Sequence, residues 1–286
     1  MSRNRERTGG VQQHDATPPP QAMEDNGGES GFSFVIPTEF VGLPSEGRFY
    51  PEGHPLHGED SIEIKQMTAK EEDILTSRSL LKKGVAIERL IKSLIVNKKI
   101  DSNSLLVGDR NAILIAARIS GYGYAYETKV GCPSCGTQQD YSFSLGEAET
   151  YTGMDLEADE AIDNEDGTFT TTLPQMRAQV VFRLLNGTDE RNLLAQLEHA
   201  RKKRKEENAV TTQLKQMIVA INGNDDPGAI DYVVANMPSR DARHLRLIYK
   251  KATPNVDLTQ HFECNECDYD QPMEVPLTAD FFWPDR

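Results

Sequence analysis

No stretch of this chain approaches the ~18 consecutive apolar residues that a membrane-spanning helix needs, so no membrane partner is expected. Positive charge is scarce: 31 Lys and Arg stand against 45 Asp and Glu, a net charge of −14. That balance disfavours general nucleic-acid binding, which draws on a positive field. The phosphate cradles G-x-x-x-x-G-K-[ST] and G-x-G-x-x-G are missing, as are H-E-x-x-H and G-x-S-x-G. Six histidines are scattered, and only His54 and His57 lie near each other, in a Pro/Gly-rich turn. With no nucleophile paired to a base, the chain is expected not to be an enzyme. The N-terminus carries arginines but no apolar leader core, so the chain is expected to remain inside the cell. There its 4 cysteines in 286 residues should stay reduced.

Those four cysteines fall into two identical pairs. Cys132 and Cys135 form one C-x-x-C, in Val130-Gly-Cys-Pro-Ser-Cys-Gly136, and Cys264 and Cys267 form the other, in Phe262-Glu-Cys-Asn-Glu-Cys-Asp268. Two intervening residues let one tight turn aim both sulfurs at a single ion, and two such turns supply a tetrahedral set. The residues admit a structural zinc site, a pair of redox dithiols, or four ordinary thiols, and the zinc site is the expectation. His261 stands close enough in sequence to replace one sulfur, although a solvated strand-face histidine is the simpler reading. Between the pairs lie 128 residues, so the fold must bring distant segments together. Four sulfur ligands leave no open position for water, which makes the ion structural rather than catalytic.

Composition divides the chain into five parts. Residues 1–31 hold Pro18-Pro-Pro20, several glycines and no aromatic residue, and are expected to be a disordered tail. Residues 32–66 read as an extended arm, dense in turn residues and aromatics, followed by the alternating strand Ser61–Met67. Phe49 and Tyr50 are the arm's candidate partner-binding anchors; the competing reading folds the arm onto its own strand. Residues 67–145 form a first unit ending in a cysteine knuckle. Residues 146–172, with nine acidic and no basic side chains, read as an acidic linker or hairpin. Residues 173–286 form a second unit with its own knuckle.

The two units look like copies. Strand Ser61–Met67 and helix Thr68–Leu75 have counterparts in Ala178–Leu184 and Thr188–Leu194, with Ile74 and Leu75 matching Leu193 and Leu194 at an offset of 119. Ile87, Leu90, Ile91 and Leu94 mark one helical face, repeated by Leu214, Met217, Ile218 and Ile221 at 127. Asp109-Arg-Asn-Ala112 matches Ser239-Arg-Asp-Ala242 at 130, each with a candidate N-cap, and the cysteines match at 132. The offset grows near the basic run Arg201–Lys205, read as a solvated helix face. The predicted fold is α+β: two duplicated strand–helix–helix–ribbon units joined by a four-cysteine zinc-ribbon-like site. Helix 109–120 should be central, and a short helix should run from Pro227 to Met237. The C-terminal aromatics Phe281, Phe282 and Trp283 should pack under the second ribbon or reach a neighbour.

Several phrases together resemble a known family. They are Leu43-Pro-Ser-Glu-Gly-Arg-Phe-Tyr-Pro-Glu-Gly-His54, Met67-Thr-Ala-Lys-Glu-Glu-Asp-Ile-Leu-Thr-Ser77, the C-P-x-C-G knuckle and Val275-Pro-Leu-Thr-Ala-Asp-Phe-Phe282. They are similar to the baseplate proteins of T-even-like contractile-tailed phages, the family of the hub protein and its assembly factor, over about residues 35–284. The resemblance implies a structural virion component of the tail baseplate, at or near the hub, present in the host cytoplasm during assembly. It implies other baseplate and tail proteins as partners, and self-association within the baseplate. A transient hub-assembly chaperone is the alternative within the family. A zinc-ribbon nucleic-acid-binding protein and a dithiol oxidoreductase are the alternatives outside it. The family brings no catalytic residues, and the zinc rests on this chain's own spacing.

Overall fold

Alternation and helical periodicity both surface as short elements, eight α-helices and twelve strands among the described residues. The computed structural model describes residues 35–153, 156–157, 160–203, 208–275 and 279–282. The expected disordered tail, residues 1–31, and Trp283 lie outside them. Residues to Pro37 form a unit of their own, and Thr38 onward form a second compact unit, which is the one described below.

The first half opens with an antiparallel hairpin. Strand β1 (Thr38–Gly42) pairs with β2 (Ser61–Lys65), so the arm folds back on its own strand. Helix α1 (Ala69–Thr76) starts at Thr68, whose N–H and hydroxyl both donate to the Glu71 carboxylate. Helices α2 (Arg78–Lys82) and α3 (Ala86–Leu94) follow. Leu90, Ile91 and Leu94 of α3 are wholly buried, each contributing roughly 1.5–3 kcal/mol relative to exposure. Helix α4 (Val107–Tyr122) runs through the centre, with Ala112, Ile113, Ile115 and Ala117 buried. Strands β3 (Ala125–Gly131) and β4 (Gln138–Ser144) make the first ribbon.

The acidic stretch is built into the fold rather than strung between halves. Strand β5 (Glu149–Tyr151) pairs with a strand beyond residue 254, and β6 (Ile162–Asp163) and β7 (Thr168–Thr172) form a hairpin. Strand pairing engages the backbone of β5, β6 and β7, and the described carboxylates of the stretch stand at least partly exposed. One of them, Glu160, grips Lys251 at 2.6 Å.

The second half adds β8 (Gln179–Arg183), α5 (Gly187–Lys202), α6 (Ala209–Met217), β9 (Ile218–Ile221), α7 (Pro227–Ala235) and α8 (Ser239–Ala252). Strands β10 (Asn255–Asp257), β11 (Thr259–Glu263) and β12 (Asp270–Glu274) complete it, with β10 as the partner of β5 and β11–β12 as the second ribbon. Strands β6-β7-β8-β9 form one antiparallel sheet. Ile218 and Ile221, expected on a helix with Leu214 and Met217, are strand residues here. Short β-branched apolar runs carry no period that separates the two structures. Helix α5 is capped by Asn186: its side chain accepts from the N–H groups of Thr188 and Asp189. Helix α7 begins with Pro227 behind Asp226, whose carboxylate accepts from the Ala229 N–H.

The first half thus runs hairpin, helices α1 to α3, α4, ribbon, and the second runs β7–β8, α5, α6, β9, α7, α8, β10, ribbon. The end of the chain departs from expectation. A short 3-10 helix, Ala279–Phe282, packs on the first half rather than under the second ribbon. The Phe281 ring meets Tyr126 of β3 edge-on at 5.2 Å, and its carbonyl accepts from Arg118 Nε at 2.7 Å. Arg118 is itself fully buried on α4 and spends its other donors on the carbonyls of Gly123 and Ala125.

Candidate metal centre

Each ribbon ends in a turn that holds a C-x-x-C pair by the same backbone bonds. Cys132 N–H donates to the Thr137 carbonyl and Cys264 N–H to the Tyr269 carbonyl, both at 2.9 Å. Inside each turn an amide points at the first sulfur: Ser134 N at 3.4 Å from Cys132 Sγ, and Glu266 N at 3.5 Å from Cys264 Sγ. Gly136 holds φ at +75°, the left-handed geometry that the first turn needs.

The ribbons cross and bind one another. Gln139 Nε2 donates to the Glu263 carbonyl and its Oε1 accepts from the Asn265 N–H, both at 2.9 Å. Gln260 reciprocates, donating to the Ser144 carbonyl at 2.7 Å and accepting from its N–H at 3.0 Å. Tyr141 donates to the His261 carbonyl and stacks its ring 5.1 Å from Phe262.

This crossing brings all four sulfurs together. Cys132 Sγ lies 3.8 Å from Cys267 Sγ, and Cys135 Sγ lies 3.8 Å from Cys264 Sγ. All four fall within 4.8 Å of one another. A tetrahedron with Zn–S bonds of ~2.3 Å has edges of about 3.8 Å, so the cluster has the dimensions of a four-sulfur metal site. A disulfide requires sulfurs at ~2.05 Å, and the close pairs join the two knuckles instead of closing either C-x-x-C. Cys132 and Cys264 are buried, Cys267 is half-buried and Cys135 is exposed. Hydrogen bonds from the Thr137 hydroxyl and N–H lower the Cys135 thiol to about 6. At Cys267 the Tyr269 backbone favours the thiolate, but burial and the neighbouring sulfurs outweigh it and push the thiol up to about 12. Four sulfurs this close cannot all be anionic unaided, and a divalent cation removes that conflict.

His261 is not part of the cluster: it is exposed and its Nε2 pairs with Asp270 Oδ1 at 2.9 Å. His54 bonds the Ser104 hydroxyl and His57 the Tyr50 carbonyl, so the turn histidines hold the arm. Phe49 and Tyr50, expected as partner anchors, are buried in the chain's own core. Phe49 packs 5.6 Å from Phe169, and the Tyr50 hydroxyl donates to Asp109 Oδ2 at 2.7 Å while accepting from the Leu106 N–H. With Val41, Leu43 and Leu56, also buried, these two rings seat the arm in the core.

Asp109, read as a candidate cap, and Asp241, two residues beyond the candidate cap Ser239, turn out to hold the hairpins. Asp109 lies inside the first turn of α4, fully buried, and accepts from Ser45 N–H, Ser45 Oγ and Tyr50 OH. Asp241, equally buried in α8, accepts from the N–H groups of Gln175 and Met176 at 2.7 and 2.9 Å. Asp109 and Asp241 stand 132 residues apart, the cysteine offset, not the 130 read from the surrounding phrase. Their signal was an acid with an apolar residue four positions on, Ile113 and Leu245, which fits a cap and a buried acceptor equally.

A family model described as T4 bacteriophage base plate protein matches residues 38–168, from β1 through the first knuckle to the start of β7. No curated protein and no solved structure matches the chain. No helix among the described residues is long and apolar enough to cross a membrane. Over residues 38–168, the segment that carries Cys132 and Cys135 together with the arm folded on α4, the chain is similar to the T4 bacteriophage base plate proteins.

Proposed function

We propose that this chain is a structural component of a phage tail baseplate, at or near its hub, acting through contacts with other baseplate proteins. One zinc ion held by Cys132, Cys135, Cys264 and Cys267 clamps its two halves. The observation that carries the metal reading is the tetrahedral spacing of the four sulfurs. The baseplate role rests on the family match over residues 38–168. The halves are duplicated units. In support, the cysteines, the buried Asp109 and Asp241, and the amide-to-sulfur contacts of Ser134 and Glu266 all recur at one offset of 132.

The role is not catalytic. Four thiolates saturate the ion and leave it no open position for water or substrate. The ribbon faces carry Glu263, Glu266, Asp268 and Asp270, the wrong sign for nucleic acid. Elemental analysis of purified protein should return one zinc per chain, and none would remove the metal reading. Mass spectrometry and cryo-EM of purified mature particles should find the chain in the baseplate. Its absence there would favour a transient assembly factor.

A further inference from the structure

Helix α8 shows water a face unlike the rest of this acidic chain. Asp241, Leu245, Ile248 and Ala252 are buried, while Arg240, Arg243, Arg246, Leu247 and Lys250 are exposed along the opposite side. At 1.5 Å per residue the stripe is about 15 Å long. Among the described residues no carboxylate lies within ion-pair distance of these cations, and Asp257 lies near enough to Lys250 to feel its charge. Leu247, in their midst, is 52% exposed.

The patch continues past the helix. Because Asp241 binds the backbone of Gln175 and Met176, the β7–β8 turn is fixed against the first turn of α8. That turn exposes Met176 and Arg177, and Arg177 holds φ at +53°, a conformation side-chain-bearing residues seldom adopt.

The matching face of α4 is covered. At the offset of 132, Arg240, Arg243 and Lys250 correspond to Gly108, Asn111 and Arg118. Gly108 lies against the Pro254 carbonyl, Asn111 bonds Asn255, and Arg118 binds Phe281. One helix face is closed by the chain itself, and its counterpart is open, basic and centred on a leucine.

We propose that the exposed face of α8, with the β7–β8 turn, docks a carboxylate-bearing amphipathic helix of a partner protein. Arginines pair with carboxylates through parallel hydrogen bonds, and a straight stripe with one central apolar side chain suits a second helix laid along it. A phosphate backbone fits less well: the chain's net charge of −14 repels it at range, and Leu247 and Met176 have nothing to meet on it. The comparison with α4 rests on the duplication proposed above; the stripe does not.

The test is fluorescence anisotropy on the full zinc-loaded chain at low salt. The probes are a labelled 14-residue helical peptide with glutamates around one leucine, its glutamine analogue, and a DNA duplex of equal length. The glutamate peptide should bind and the other two should not. Arg243→Glu/Arg246→Glu should weaken binding at least tenfold and Leu247→Ser severalfold. Lys92→Glu/Lys99→Glu, an equal charge change at exposed sites elsewhere, should leave it unchanged. Equal loss in that control, no binding of the glutamate peptide, or DNA binding as tight as the peptide's overturns the proposal. Zinc content and circular dichroism matching the parent show that a lost interaction is not a lost fold.

Discussion

Replacing Tyr50 by Phe isolates what the arm does. The ring stays, so packing against His54, stacked at 4.4 Å, is kept and no cavity opens. What goes is one buried oxygen that donates to Asp109 Oδ2 at 2.7 Å and accepts from the Leu106 N–H at 3.0 Å. Losing a bond to a carboxylate and orphaning a buried amide should together cost about 2–4 kcal/mol. With a urea m-value of about 3 kcal/mol/M for a chain of this size, the unfolding midpoint should fall by about 0.7–1.3 M. The deficit should depend on pH. Burial raises the Asp109 carboxyl above its ordinary 3.8, against the hydrogen bonds that favour its charge. Between 3.8 and the raised value the native state holds a proton that the unfolded chain has released, so stability falls as pH rises through that window. Removing the Tyr50 hydroxyl raises the folded value further. The variant should therefore lag the parent most at neutral pH, and less below about pH 4. Urea titrations followed by far-UV circular dichroism at both pH values measure this. An unchanged midpoint at pH 7 would return Tyr50 to the surface and refute the reasoning.

Three further outcomes are expected. Cys264→Ser should lose zinc and lower the melting temperature, and chelator should do the same to the parent but leave the variant unmoved, because metal binding and folding are coupled. Phe281→Ala should cost about 3–5 kcal/mol in denaturant unfolding, as it empties the site against Tyr126 and Phe282; a negligible cost would mean that the C-terminal turn is not part of the core. Gly108→Ala would place a methyl 1.9 Å from the Pro254 carbonyl oxygen, backbone that cannot swing aside; Ala at this position should lower stability despite its helix propensity, and a gain would show that the contact is loose.

What the sequence made legible was local chemistry. Two cysteines in a tight turn announce themselves because their function is set by four residues. The stripe Leu90, Ile91, Leu94 marks α3 because one face is buried and the other is not. The strand Ser61–Lys65 alternates for the same reason. Illegible were the places where distant chain decides the role. Asp109 is placed as a cap and Asp241 just inside a helix start, and only the hairpin turns laid over them make them buried acceptors. Phe49 and Tyr50 look like anchors because exposed aromatics often are, yet α4 and Phe169 lie over them. Arg118 carries no mark in sequence of the three carbonyls it satisfies. The basic stripe of α8 was readable at i, i+3, i+6 and i+10, but the net acidity of the whole chain drew attention from it.

The ribbons explain why this site needs four sulfurs. A lone two-stranded hairpin is marginal in water, and neither ribbon has much core of its own: three strand side chains are buried in the first, one in β11 and none in β12. Each therefore depends on the other, through Gln139, Gln260, Tyr141 and the sulfur cluster. A disulfide between knuckles would fix one pair and leave the other sulfurs facing it. A tetrahedral ion fixes both turns at once. It also closes a loop of 128 residues, and by analogy with disulfides of that span such a link removes about 5 kcal/mol of unfolded-chain entropy. Removing the ion should therefore loosen both ribbons together, although only one of them lies within residues 38–168. Hydrogen exchange with and without chelator reads this directly. Faster exchange at Val130 and Phe262 alike is the expected result, and a change confined to one ribbon would mean that the halves are held by something other than the metal.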